Sequence, residues 1–242
     1  GPESGTTPIT VEYVKGVERL CRKYGALLVF DEVVTGFRIG MAGAQGYFGV
    51  SPDLTIFGKV IAGGYPGAGG IGGKREYMRY LGAGLDSSGK KIHKALVGGT
   101  MTANPLSCCA GYFTLEEIER TNACQKAGQM GDRICAGLKE LVKKHGLPFV
   151  VWNTGSICHL ETVGTMHYQI NWKKPWEIPA ILGETSIRQK EMEHMGAAYM
   201  AEGLVTLAGS RLYTSAAYTP KMIDQALACF DRVFENVAVK AD

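Results

Sequence analysis

Two residues stand out as a pair able to do chemistry. Asp31 closes the short apolar run Ala26 to Phe30, and Lys59 follows Gly58 at the end of a second run, Leu54 to Phe57. A lysine amine can attack a carbonyl carbon or carry protons. Set against an acid, it more often makes a salt bridge. Apolar runs of this length that stop abruptly on polar residues have the profile of parallel strands buried on both faces. Ligands in open α/β sheets sit at the carboxyl ends of the strands, so Asp31 and Lys59 are expected to share one crevice.

The elements that must hold this pair follow from periodicity. Val11, Val14, Val17, Cys21 and Tyr24 recur at helical spacing up to Gly25, which predicts a helix over 10–24. Pro105 at a first-turn position opens a predicted helix to about Glu119 with Leu106, Cys109 and Phe113 on its packing stripe. A further helix over about 124–145 carries Met130, Ile134, Leu138, Leu141 and Val142, and ends on Lys143, Lys144, His145 and Gly146. Strand-like runs then fall at Phe149–Trp152, Ile157–Thr162, Leu204–Leu207 and Leu212–Ser215, with helices near 186–202 and 220–238. This second half reads as a smaller α+β unit.

Other motifs fail on context. Gly67-x-Gly69-x-x-Gly72 has the dinucleotide spacing but follows Gly63-Gly64-Tyr65-Pro66 rather than a strand. Gly58-Lys59 resembles a phosphate loop, yet Asp53 stands where its first glycine belongs and Val60 where a magnesium-binding hydroxyl belongs. His159, Glu161 and His167 lack metal-ligand spacing, so no metal is expected. Lys+Arg 26 against Asp+Glu 23 are scattered along 242 residues, which disfavours nucleic acid as a partner. No apolar run has the length of a membrane span. Seven cysteines without C-x-x-C spacing suit a reducing, cytoplasmic compartment. The chain opens on Gly1-Pro2-Glu3 without an initiator Met, as a processed or cropped piece would.

The wording around the pair is specific. Leu27-Leu28-Val29-Phe30-Asp31-Glu32-Val33-Val34-Thr35-Gly36-Phe37-Arg38, then Pro52-Asp53-Leu54-Thr55-Ile56-Phe57-Gly58-Lys59-Val60-Ile61-Ala62-Gly63-Gly64, then Gly98-Gly99-Thr100-Met101-Thr102-Ala103-Asn104-Pro105-Leu106 stand in order. Together they resemble the signature of the class III pyridoxal-phosphate (PLP) aminotransferases of fold type I, most nearly the glutamate-1-semialdehyde 2,1-aminomutases and their aminotransferase relatives. The likeness is strong over residues 1–120 and weaker beyond, through Ser215-Ala216-Ala217-Tyr218-Thr219.

The resemblance implies an α/β fold: residues 1–120 as the C-terminal part of a PLP-binding large domain, and 121–242 as a small α+β domain. Lys59 would condense with the cofactor aldehyde and later move protons. Asp31 would hold the pyridine nitrogen protonated, and Val33 would pack on the ring face, a role close to that of a core valine. Thr100 and the adjacent backbone, with Gly99 allowing close approach, would reach the cofactor phosphate of a partner subunit, which implies a homodimer with its site at the interface. Arg211 would clamp a substrate carboxylate, as against lying idle on the surface, and leans toward a transaminase of amino or ω-amino acids working with a keto acceptor. An aminomutase is the alternative inside the family, and an inert structural or binding piece the alternative outside it. Glu32 and Arg38 are read as supports. Full-length members begin earlier, with Pro2 matching a mid-domain proline, so the phosphate-cradling loop and the aromatic on the other ring face are expected to lie in an upstream half.

Overall fold

Thr10 accepts the Tyr13 N–H on its side chain at 3.2 Å and so caps α1 (Val11–Tyr24), which Gly25 closes in the left-handed region at φ 64°. The computed structural model describes residues 8–82, 84–162 and 173–238. The chain divides into two compact units, the first Thr10–Cys124 and the second built from Gln125 onward.

In the first unit, β1 (Val29–Asp31), α2 (Gly43–Phe48), β2 (Leu54–Phe57), β3 (Gly70–Gly73), α3 (Arg75–Met78) and α4 (Pro105–Thr121) follow α1. β1 and β2 are parallel with Asp31 opposite Ile56, and β2 and β3 are antiparallel with Ile56 opposite Ile71. The glycine-rich stretch therefore supplies a strand rather than a nucleotide turn. Gly73 is forced by proximity: a Cβ there would lie 2.5 Å from the Asp53 carbonyl oxygen and 2.7 Å from Leu54 Cδ2.

Two expectations are corrected here. The first strand begins at Val29 rather than Ala26, because the Leu28 N–H donates to the Asp53 carboxylate (2.8 Å) instead of to a neighbouring strand. Nor are the strands buried on both faces. Val29 (46% exposed), Ile56 (40%) and Ile71 (42%) share one face by register, and no described element covers it. Leu106, Cys109 and Phe113, the predicted packing stripe of α4, are likewise exposed.

Asp53 ties this unit together. Its carboxylate accepts from Lys74 Nζ (2.6 Å), Arg22 Nη1 (2.7 Å) and the Leu28 N–H, so that α1, the entry to β2 and the exit from β3 meet on one buried acid. The Lys74 hydrogen bond, followed by those of Leu28 and Arg22, overrides the opposing effect of burial and holds the carboxyl far below the usual carboxylate range. Asp53→Ala should cost about 1.5–3 kcal/mol, since a buried N–H loses its acceptor. Because the folded pKa lies below the unfolded one, this contribution is present above about pH 4 and drains away as pH falls further. Urea unfolding at pH 7 and at pH 3 measures both effects. A variant within about 0.5 kcal/mol of the parent at pH 7 would show the network to be idle.

The second unit comprises α5 (Ala123–Lys144), β4 (Val150–Thr154), β5 (Ile157–Glu161), α6 (Ile178–Ala201), β6 (Arg211–Tyr213) and α7 (Pro220–Ala238). Its sheet is antiparallel in the order β4-β5-β6. Val151, Cys158, Leu160 and Leu212 meet Ile134 and Leu138 of α5, Tyr199 of α6, and Phe230 and Phe234 of α7 in one core. The predicted α5 stripe is the one observed. Leu204–Leu207 is not a strand: only Leu207 bridges, to Arg211. α6 starts earlier than predicted, with Pro179 in a first-turn place that costs no helical hydrogen bond. Cys135 and Cys158 are both buried, and a hydrogen bond with Cys135, reinforced by burial, pushes the Cys158 thiol well up. Among the described residues no helix is long and apolar enough to cross a membrane.

Candidate active site

Parallel pairing of β1 with β2 places Asp31 and the Gly58-Lys59 step at the same end of the sheet. Asp31 Oδ1 accepts the Val33 N–H at 3.0 Å, which turns the chain sharply out of β1 and fixes the carboxylate at the strand end, exposed. Val33 then reaches across to β2: a Cβ at Gly58 would stand 3.1 Å from Val33 Cγ1. Glycine at 58 is thus what lets the valine lie against the backbone that leads into Lys59.

Lys59 has φ 52°, the left-handed region that costs a side-chain-bearing residue about 1–2 kcal/mol. It opens a 3-10 turn over Lys59–Ala62 that Gly63 closes at φ 59°. Gly63 and Gly111 hold the turn against α4, for a Cβ at Gly111 would fall on the Ile61 carbonyl oxygen. A reactive side chain on a strained, tightly backed turn is the sort of outlier that marks functional sites. Lys59 lines a cavity of about 490 Å³ with Val33, Arg38 and Tyr65, among others. That is within the range of small-molecule sites, about 300–1,000 Å³. Arg38 and Lys59 bring positive charge to it, but Asp31 is not among its described lining residues, so the crevice expected to hold both Asp31 and Lys59 is not seen in this lining.

Glu32, adjacent to Asp31, is 1% exposed. Its Oε2 accepts from the Ala44 N–H (2.6 Å) and Thr35 Oγ1 (2.9 Å), and its Oε1 from the Gln45 N–H (3.0 Å). A buried carboxylate thus pins the start of α2 to the strand end that carries Asp31. Gly43, at φ 58°, permits this approach: a Cβ there would overlap the Glu32 carboxylate. The signature singles out Glu32, but nothing local in the sequence points to its partners 12 and 13 residues away.

Of the remaining candidates, Gly99 and Thr100 are exposed on the loop before α4 and do not line the Lys59 cavity. That loop is moored beside the cavity wall, where Asn104 Nδ2 and Ser107 Oγ donate to the Pro66 carbonyl at 3.4 and 2.6 Å. Arg211 lies half-buried on β6 of the second unit. His167 falls outside the described residues. Tyr65 was not legible as a lining residue, because it follows the lysine by six positions inside a glycine-rich turn of no regular period.

The profile described as aminotransferase class-III matches residues 2–212. The chain belongs to this family. As a class III member it is 36% identical over 239 residues to glutamate-1-semialdehyde 2,1-aminomutase 2 of Shouchella clausii, covering 98% of this chain and 50% of that protein. It is 40% identical over 147 residues to the glutamate-1-semialdehyde 2,1-aminomutase of Legionella pneumophila strain Paris, covering 61% and 32%. Its fold is that of the PLP-dependent fold type I transaminases. The Sphaerobacter thermophilus omega-transaminase matches with a TM-score of 0.73 at 23% identity, over 96% of this chain and 49% of that one. Plasmodium falciparum ornithine delta-aminotransferase matches with 0.74 at 23%, over 99% and 55%. This class III chain spans at most about half the length of those curated relatives.

The residues present fit the cofactor of the family. A lysine on a strained turn, a valine packed beside it and an exposed carboxylate at the neighbouring strand end would supply an amine, a ring-face contact and a partner for a ring nitrogen.

Proposed function

We propose that the protein is a PLP-dependent aminotransferase in which Lys59 is the catalytic amine and Asp31 the partner of the ring nitrogen. The observation that carries this reading is Lys59 at φ 52° on a backed turn, lining a cavity with Val33 at the strand ends where Asp31 is fixed. PLP, when bound, supplies an aldehyde for the amine and a ring able to take up electrons. The Lys59 amine holds the cofactor and carries the proton to and from the reacting carbon. The Asp31 carboxylate keeps the ring nitrogen protonated, and the Val33 N–H fixes that carboxylate. Val33 bears on one ring face, and Arg38 adds positive charge to the cavity. Arg211 binds the carboxylate of an amino donor. The exposed Gly99-Thr100 loop serves the site of a second copy, in a homodimer. The seven free cysteines support a reducing, cytoplasmic compartment. Activity belongs to an assembly that includes the half of the relatives not covered by these residues.

The names of the curated relatives favour a second reading, in which the amino group moves within one molecule. The two differ in their need for a 2-oxo acid. The cofactor-loaded enzyme is expected to turn over an amino acid or ω-amino acid only when an acceptor is added. Repeated turnover of glutamate-1-semialdehyde without an acceptor, and none of any donor with one, would replace the transaminase by the aminomutase.

A further inference from the structure

Two cysteines meet inside the second unit, Cys135 of α5 and Cys158 of β5. A glycine brings them together. Gly131 stands one helical turn before Cys135, and a Cβ there would overlap the Gly155 carbonyl oxygen and lie 3.3 Å from Cys158 Sγ. Without that side chain α5 settles against the β4–β5 hairpin. Cys158 Sγ donates to the Gly131 carbonyl at 3.7 Å, and Cys135 Sγ to the Trp152 carbonyl at 3.6 Å. Trp152 precedes Asn153, the residue paired with Cys158. Both sulfurs thus occupy one gap between helix and hairpin, where a hydrogen bond joins the thiols. A small shift brings sulfurs in such contact to the bonding distance of about 2.0 Å.

The two sides of the gap differ. Cys158 is wholly buried. Cys135 is 1% exposed, yet it belongs to the wall of a surface cavity of about 520 Å³ shared with Asp132, Lys139, Glu140 and Asn153. A polar cavity of that size holds water. A reagent of water's dimensions therefore comes up to Cys135, and a larger one is turned back.

We propose that Cys135 and Cys158 are a peroxide-sensitive thiol pair: Cys135 reacts with hydrogen peroxide admitted through the cavity, and Cys158 resolves the product to a disulfide that ties α5 to β5. The Cys135 sulfur attacks a peroxide oxygen. Its S–O bond forms as the O–O bond breaks, and the departing hydroxide takes the Cys135 proton and leaves as water. Cys135, oxidised by two electrons, is then a sulfenic acid. The Cys158 sulfur attacks it, the S–S bond forms, the S–O bond breaks, and hydroxide leaves as a second water with the Cys158 proton. One peroxide and two thiols give one disulfide and two waters. The bond with Cys135 and burial hold the Cys158 proton on its sulfur, which suits the thiol that waits. The inference does not depend on the function proposed for Lys59.

The test treats the reduced full chain with hydrogen peroxide in the presence of a chelator, and maps the products by mass. The parent is expected to yield a crosslink between the peptides of Cys135 and Cys158 that dithiothreitol reverses. With Cys21→Ala, Cys108→Ala, Cys109→Ala, Cys124→Ala and Cys229→Ala in place, the intact mass should fall by two hydrogens. Adding Cys158→Ser should stop the reaction at one oxygen on Cys135, at a rate within about threefold of that chain's. Adding Cys135→Ser instead should slow oxidation of Cys158 by at least about tenfold. Urea below the unfolding transition should change the rate of crosslinking by no more than about twofold, because the closed protein is the form that reacts.

A parent whose pair stays reduced while Cys108 and Cys109 are oxidised would overturn the proposal, and this comparison needs no variant to fold. So would Cys158 reacting as fast in Cys135→Ser as with Cys135 present, or a rate that climbs with urea in step with opening.

Discussion

Lys59→Ala is expected to give a folded protein that borohydride can no longer link covalently to its cofactor and that has lost at least about four decades of turnover, because on the proposed role the nucleophile and the proton carrier vanish together. Stability should stay within about 0.5 kcal/mol, since the lysine is exposed and alanine meets the same left-handed backbone. Intact-mass measurement after reduction, beside a thermal melt, reads both. A reducible cofactor adduct that survives in the alanine variant would remove Lys59 from its role, whatever happened to the rate.

Asp31→Asn should slow the reaction far more than it weakens cofactor binding. The amide oxygen can still accept the Val33 N–H, so the turn out of β1 is kept. What disappears, on the role proposed for Asp31, is a negative charge facing a ring nitrogen that must stay protonated while electrons flow into the ring. Such charge stabilisation at a reacting centre is worth about 2.7–4 kcal/mol, or about two to three decades in kcat. Single-turnover measurement of donor deprotonation gives the rate, and equilibrium titration with PLP gives the affinity. Turnover at the parent's level would place the partner of the ring nitrogen elsewhere.

The strand ends that carry these two residues were readable from the amino acids because they are local, whereas the roles proposed for them came with the family resemblance. Asp31 and Lys59 sit at the ends of short apolar runs whose limits are marked by polarity and glycine, and β2 spans the predicted residues, Leu54–Phe57. The α5 stripe was legible for the same reason, since every third or fourth residue points into one core. What escaped depends on contacts that no periodicity encodes. Asp53 takes the Leu28 N–H across 25 residues and shortens β1. Glu32 caps a helix it does not belong to. The exposure of Leu106 and Phe113 cannot be read from a stripe, because an apolar pattern shows which side wants cover without showing what is there to cover it.

Cys135 and Cys158, sealed in the core of the second unit, have a further use. Bulky thiol reagents reach a buried sulfur only when the surrounding structure opens. The exposed Cys108 and Cys109 react at once. Labelling kinetics under native conditions would thus show a slow phase that times the opening of the second unit, behind the faster reaction of the five cysteines outside its core, without any engineered probe.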